Sequence, residues 1–411
     1  MEGFIFQEVD FSQASYFSNL PLNGASFWAC KFPEGITSND IRKMGARYVT
    51  SNPPSVPFKP LRAFLYNQEE MQQVDHEVYQ FYLQQSNSFP AQLAMSVHDF
   101  SIMDALMDYA EGKSFVAICG GHALLRASPQ YLQVMELGNR IANAGFIALS
   151  GGGPGAMEAC NLGAYIAGVQ LHHPRSPIAI TFDKPDEVSP STESTSLDAS
   201  ATISGREPCN QSDLCRAWHI ISQFPALEGR PEFENVAAAK AVIEEFGPAR
   251  CYTPSLGIPT WRYGHEPPNL FTAYHAKFFQ NSVREAVLLD ICYGGLIMTP
   301  GGPGTMQEVF QAACRCAYAP LGYEYPIIFF GVEYWKESGV WDIIQKQAKG
   351  RKYFDYLLLS DSVDEIMDHL VKCADEKGLS RLEDITQLDN PYWYSKHCPR
   401  KASVSSQNSM Y

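Results

Sequence analysis

The chain has 411 residues, 45% of them apolar and 18% charged, and its 45 acidic side chains outnumber 31 Lys plus Arg for a net charge of -14. This is a globular composition, with room for two or three domains or for one core with large additions. The acidic balance disfavours general binding to nucleic acid backbones, though local backbone dipoles can still hold a small anion, and no window reaches the length of an uninterrupted transmembrane helix.

Residues 1 to about 65 have mixed polarity and turn signals such as Ser51-Asn-Pro-Pro-Ser-Val-Pro57. No basic region precedes an apolar run at the start, so no secretory leader is expected. The spacing of apolar residues predicts helices over 68–86 and 96–110. An N-terminal extension is therefore expected over 1–110, packing as helical decoration, with His98 as a surface or packing histidine. The 11 cysteines are scattered, without a Cys-x-x-Cys pair. They read as mostly buried thiols of a reducing, cytoplasmic setting.

The core domain is expected over 111–378. It opens with the apolar strand Ser114-Phe-Val-Ala-Ile-Cys119, followed by Gly120-Gly121-His122. Ser128 as N-cap and Pro129 at the first helical position predict a helix to about Ala144. A second strand, Phe146–Ser150, runs into the turn Gly151-Gly152-Gly153-Pro154-Gly155 and a helix from Ala156. Ala167–Leu171 is the expected third strand, and Pro177–Phe182 another or its continuation. Composition shifts to Asp, Glu, Ser, Thr and Pro over 183–213, within an insertion placed at about 183–250, and helical patterns return over 214–250. His172 and His173 resemble a metal pair only superficially, since adjacent side chains on a strand diverge; no metal site is expected. The segment 257–271, rich in aromatic residues and proline, reads equally as a ligand wall or as packing between lobes.

A long helix is expected from Phe271 to Asp290, then the strand Gly294–Met298. Next comes Thr299-Pro-Gly301-Gly302-Pro303-Gly304-Thr305-Met-Gln-Glu308, the opening of a helix to Tyr318. A strand, a glycine turn and a helix make an anion site, because first-turn N–H groups lack intrahelical partners and glycine admits a phosphate closely. A structural alternative is a capping box with Thr305 as N-cap and Glu308 as its reciprocal partner. Further strands are expected at 325–330 and 356–359, helices at 335–349 and 362–375, and a tail over 379–411. Two like turns after two buried strands suggest one doubly wound, parallel, Rossmann-like α/β sheet of six or seven strands, helices on both faces, with a ligand crevice at the carboxyl ends of the strands. Neither turn matches the Walker loop or the dinucleotide fingerprint.

Arg284, followed 24 residues later by Glu308, with Pro-Gly-Gly-x-Gly-Thr-x-x-Glu at 300–308, resembles the LOG-type ("Lonely Guy") family, formerly grouped as lysine decarboxylases. The resemblance covers about 114–182 and 270–375, with Ser150–Met157 as the first glycine turn and Cys119-Gly120-Gly121 in place of Cys-Gly-Ser. Asn281-Ser-Val-Arg-Glu285 stands where the family carries Met-His-x-Arg-Lys, and Pro303 replaces a common tyrosine. The extension and the insertion look more like the larger bacterial members than the minimal cytokinin-activating ones.

The resemblance implies hydrolysis of the N-glycosidic bond of nucleoside 5'-monophosphates, without a cofactor, by a homodimer or higher even homo-oligomer. It implies Glu308 and Arg284 as catalytic residues and phosphate held at Gly301, Gly302, Gly304 and Thr305. Substrate contacts are expected at Gly120, Gly121, Gly152, Gly153, Gly155, His265 and Glu266, with His122 as a further candidate. The older decarboxylase name finds no support in the chemistry, since neither glycine turn carries a lysine placed for a Schiff base. Two other classes compete: a nucleotide sensor without turnover, and a dinucleotide- or nucleotide-sugar-using enzyme.

Overall fold

The strands over 115–119, 147–150, 295–298 and 327–329 are short, mostly apolar runs buried on both faces. The computed structural model describes residues 3–15, 17, 20–50, 55–172, 212–224, 236–250, 252–262, 267–319 and 323–382. In chain order its elements are β1 (Ile5–Gln7), β2 (Ser26–Trp28), α1 (Ser38–Lys43), β3 (Tyr48–Thr50), β4 (Tyr66–Asn67), α2 (Gln68–Gln85), α3 (Phe89–Ala110), β5 (Phe115–Cys119), α4 (Pro129–Asn143), β6 (Ile147–Ser150) and α5 (Ala156–His172). They continue with α6 (Asp213–Ser222), α7 (Val236–Phe246), β7 (Ser255–Gly257), β8 (Tyr274–His275), α8 (Asn281–Ile291), β9 (Gly295–Met298), α9 (Pro303–Tyr318), β10 (Ile327–Phe329), α10 (Val332–Glu337), α11 (Val340–Ala348), β11 (Leu357–Leu359) and α12 (Val363–Lys377).

Among the described residues the main sheet has eight strands, where six or seven were expected, in the order β11-β10-β9-β5-β6-β7-β8-β4. Seven are parallel, and β4 closes one edge antiparallel to β8. The chain leaves β5 in one direction through β6 and β7, then returns to place β9 on the other side of β5. The strand order therefore reverses between β5 and β9, which is where doubly wound sheets open a ligand crevice. Alternate residues of each strand feed two cores. Phe115, Ala117, Leu149, Leu296 and Phe329 pack with α2, α3, α8, α9 and α11 on one face. Val116, Ile118, Ala148, Ile297 and Ile328 pack with α4, α5, α7 and α12 on the other.

Several expectations are corrected. The N-terminal segment is more than helical decoration: β1, β2 and β3 form a separate three-stranded parallel sheet over its own aromatic core of Phe11, Phe17 and Phe27. Helix α3 begins at Phe89, seven residues before its expected start. Residues 167–171, expected as a strand, continue α5. The reason is close helix packing, since a Cβ on Gly163 would lie 1.9 Å from the Met135 carbonyl of α4 and one on Gly138 would lie 2.0 Å from the Cys160 carbonyl. The third parallel strand is β7.

The helix expected from 271 starts only at Asn281. Upstream, Asn269 accepts from Phe271 N–H, and Asp99 of α3 accepts from the N–H groups of Phe279 and Gln280, capping α8 from a distant element. His98 is a packing residue, buried, with its Nε2 2.8 Å from the Tyr66 hydroxyl. Among the described residues seven cysteines are free thiols, six of them buried, and Cys215 is disulfide-bonded. The strand expected at 177–182, His173 and the tail beyond residue 382 fall outside the described residues.

Candidate active site

The site is assembled where β5, β6 and β9 end side by side. After β9, Gly302 is the N-cap of α9 and Pro303 its first residue, where a missing N–H costs nothing. This overturns the capping-box alternative: Gly302, not Thr305, is the cap, and no side chain closes the helix end. Thr305 lies in the first turn, buried, with its hydroxyl against Gly301, where a Cβ would come within 2.2 Å of it. The ladder of α9 begins with Met306 N–H donating to the Gly302 carbonyl, so the amides of Gly304 and Thr305 precede it. Nothing lies within 4 Å of a Cβ built on Gly302 or Gly304, so this face of the turn is open. Tyr334 fixes its other side by donating to the Gly301 carbonyl at 2.6 Å.

The turn after β5 locks to this one. Gly120 and Gly121 have φ of +90° and +64°, and a Cβ on Gly120 would sit 2.5 Å from the Thr299 carbonyl. Gly121 N–H donates to the Pro300 carbonyl, and Thr299 donates its hydroxyl to the Cys119 carbonyl. The turn after β6 joins them, since Ala156 N–H donates to the Gly121 carbonyl. Gly155 has φ of +69° with its Cβ position 1.9 Å from that carbonyl, so glycine is required there.

Arg284 and Glu308 meet beside these turns, each only 9% exposed. Arg284 Nη1 donates to Glu308 Oε1 at 3.2 Å, and its Nε donates to the Ile258 carbonyl just past β7 at 2.8 Å. Its third nitrogen lies over Gly151, where a Cβ would be 1.9 Å from Nη2. Burial pushes the Glu308 carboxyl above the usual carboxylate range; Arg284 opposes the rise and Glu285 adds to it. The Cys119 thiol faces Glu308 from the end of β5 and is itself pushed well up by burial.

Of the other expected contacts, Gly152 and Gly153 line a small cavity with Arg126 and Glu158. There the first turn carries its own ion pair: Arg126 reaches both oxygens of Glu158, at 3.0 and 2.7 Å, and Tyr131 donates to the same carboxylate. The two glycine turns, alike in sequence, thus present different pairs. His122 is exposed beside Gly121 and Gly155. His265 and Glu266 fall outside the described residues. Sequence reasoning missed Gly151 as the seat of Arg284, Cys119 as a neighbour of Glu308, and Glu285 with Gln307; only Glu285 had a hint, as a charge reversal next to Arg284.

A cleft of about 750 Å³ opens between α2 and α3 on one side and α8 on the other; Glu285 and Gln307, the sequence neighbours of the pair, line it, while Arg284 and Glu308 do not. Its lining includes Ser96, Arg262, Phe279, Asn281, Glu285 and Gln307. Among the described residues, no group of three or more His, Cys, Asp or Glu could hold a metal ion. No described helix is long and apolar enough to cross a membrane.

Fold and site together define a doubly wound α/β protein with an open, glycine-lined helix N-terminus and a buried Arg–Glu pair at its switch point. Residues 237–370 match the family model described as "Possible lysine decarboxylase". This segment holds both Arg284 and Glu308 and the second glycine turn, but not β5 or β6; it covers about a third of the chain. It is the family, under its older name, that the 300–308 motif resembles. No curated protein matches the chain.

Proposed function

We propose that the protein hydrolyses the N-glycosidic bond of nucleoside 5'-monophosphates to a free base and ribose 5-phosphate. The observation that carries this reading is the buried Arg284–Glu308 pair beside the open N-terminus of α9. The 5'-phosphate sits on the amides of Gly302, Gly304 and Thr305, a site that suits an anion by geometry and by helix dipole. The ribose lies over Glu308 and the base extends into the cleft beside α8. As the C1'–N bond breaks, its electron pair leaves with the base nitrogen, which takes up a proton. The ribosyl carbon becomes cationic, and a water oxygen bonds to it. Glu308 stabilises the positive charge and accepts the water proton. Arg284 holds the carboxylate in place through its own bonds to Ile258 and Glu308. No step calls for a metal or cofactor.

The sensor reading has one observation in its favour: the pairing of Glu308 with Arg284 leaves a neutral pair that could bind without turning over. Release of base from AMP, GMP, CMP, UMP, IMP and a cytokinin monophosphate, each assayed beside its nucleoside, separates the two. The enzyme reading expects turnover of monophosphates and neglect of nucleosides, because the 301–305 turn would have nothing to hold. Equal turnover of both would remove the phosphate site from the mechanism. Binding of monophosphates without base release from any of them would leave a sensor.

A further inference from the structure

Two neighbouring residues of α8 hold two neighbouring residues of α9. Arg284 donates to Glu308, and Glu285 accepts from Gln307 Nε2 at 2.6 Å. Glu285 also accepts from Asn281 Nδ2 on its other oxygen, at 2.5 Å. It is 4% exposed and lines the wall of the large cleft. The groups that face Glu308 are the Arg284 guanidinium and the Glu285 carboxylate, both from α8, and the neutral Cys119 thiol from β5. One buried cation and two buried carboxylates thus share this junction of α8 and α9.

An Arg–Glu pair alone is neutral and exerts a weak field on a cationic carbon. A second carboxylate fixed by amides leaves the cluster with one net negative charge in a low-dielectric site, where such a charge acts strongly. We propose that Glu285 is a positioning residue for the hydrolysis argued above: held by Asn281 and Gln307, it supplies the fixed negative charge that Arg284 would otherwise cancel at Glu308. The inference rests on the hydrolysis reading for its catalytic half. The coupling of Glu285 to Glu308 is independent of that reading: Glu285 is bonded to Gln307, the residue before Glu308, and its charge raises the Glu308 carboxyl.

The test uses the full chain and two readouts. The first is the acid limb of kcat/KM against pH with the best monophosphate substrate. The second is the carbon-13 titration of the Glu308 carboxyl in glutamate-labelled protein, assigned by its absence in Glu308→Gln. In Glu285→Gln the titration midpoint and the acid limb should both move down by about one pH unit, since a like charge next to Glu308 is gone. The plateau rate should fall about tenfold. Gln307→Met breaks the clamp but keeps the charge, and Glu285→Asp keeps the charge in the same pocket; both should retain the wild-type midpoint. An unmoved midpoint in Glu285→Gln, or the same shift in Glu285→Asp or Gln307→Met, would reduce Glu285 to a clamp between two helices. A wild type that releases no base would remove the catalytic half with the hydrolysis reading, while the titration would still decide the coupling.

Discussion

Gly151 leaves Arg284 no slack. A methyl group there would fall 1.9 Å from Nη2, the far end of a flexible side chain that can give way without disturbing the backbone. Gly151→Ala should therefore fold normally by circular dichroism yet displace the guanidinium, lowering kcat/KM by roughly 100-fold, the scale of one lost preorganised electrostatic group. Retained activity would detach Arg284 from the mechanism. Glu308→Gln should cost a similar factor in kcat while leaving monophosphate binding largely intact, because the phosphate site is backbone. The same substitution has a thermodynamic side. Burial raises the folded-state pKa of Glu308 above its unfolded value, so its contribution to stability is full at low pH and lost as pH rises through the folded pKa. The Tm of Glu308→Gln relative to wild type should therefore climb from pH 4 towards neutrality. A variant Tm that falls relative to wild type over that range would mean that pairing with Arg284 outweighs burial.

At the scale of elements, the edge of the sheet is the acid-sensitive part. His275 of β8 is buried, with Nε2 within 2.9 Å of the Thr272 hydroxyl and 2.7 Å of Gln68 Oε1 at the start of α2. Burial, helped by Lys277, pushes its pKa down to about 3. The unfolded chain takes up a proton near pH 6.5 that the folded chain refuses until about pH 3. Stability from this group is present above pH 6.5 and drains as pH falls towards 3, so His275→Gln should flatten the loss of Tm across that window. A buried ion pair ties the same region: Lys277 donates to Asp75 of α2 at 2.6 Å. Lys277→Met would leave Asp75 as a buried charge without its cation and should cost about 3–5 kcal/mol in denaturant unfolding. The sequence made the strands around the site legible, since β5, β6, β9 and β10 are short apolar runs ahead of glycine or helix signals. It hid β7, β8 and the true start of α8. Those two strands are only three and two residues long, and α8 is capped by Asp99, some 180 positions away. The site followed the same rule: Arg284, Glu308 and the glycines could be read from local motifs. The contacts of Gly151 with Arg284, of Cys119 with Glu308 and of Glu285 with Gln307 become visible only once the strand ends and helices α8 and α9 are brought together.

For the whole molecule, the question is where the part that works begins. Among the described residues, the strands of the β1, β2 and β3 sheet pair only with each other and cover their own aromatic core, while Trp28 of β2 reaches into the core of the main sheet. Helices α2 and α3 behave differently, although they belong to the same N-terminal stretch. Met71, Val78, Ala94, Ile102 and Leu106 pack in the same core as Phe115, Leu149 and Leu296 of the main sheet. Strand β4 extends that sheet, Asp75 takes Lys277 and Trp261, and Asp99 caps α8, the helix that carries Arg284 and Glu285. One wall of the cleft next to the site also comes from α2 and α3. A chain that starts at residue 56 gives up Trp28 and Tyr48 from the main core but keeps β4, α2 and α3; it should stay folded, at a lower Tm, with a single cooperative thermal transition and near wild-type base release. A chain that starts at residue 111 exposes a full helical layer of apolar surface, leaves Lys277 without Asp75, and should be insoluble or molten by near-UV circular dichroism. If the 111 start folds cooperatively and releases base as the full chain does, α2 and α3 are an accessory layer and the cleft beside α8 has no part in holding the base.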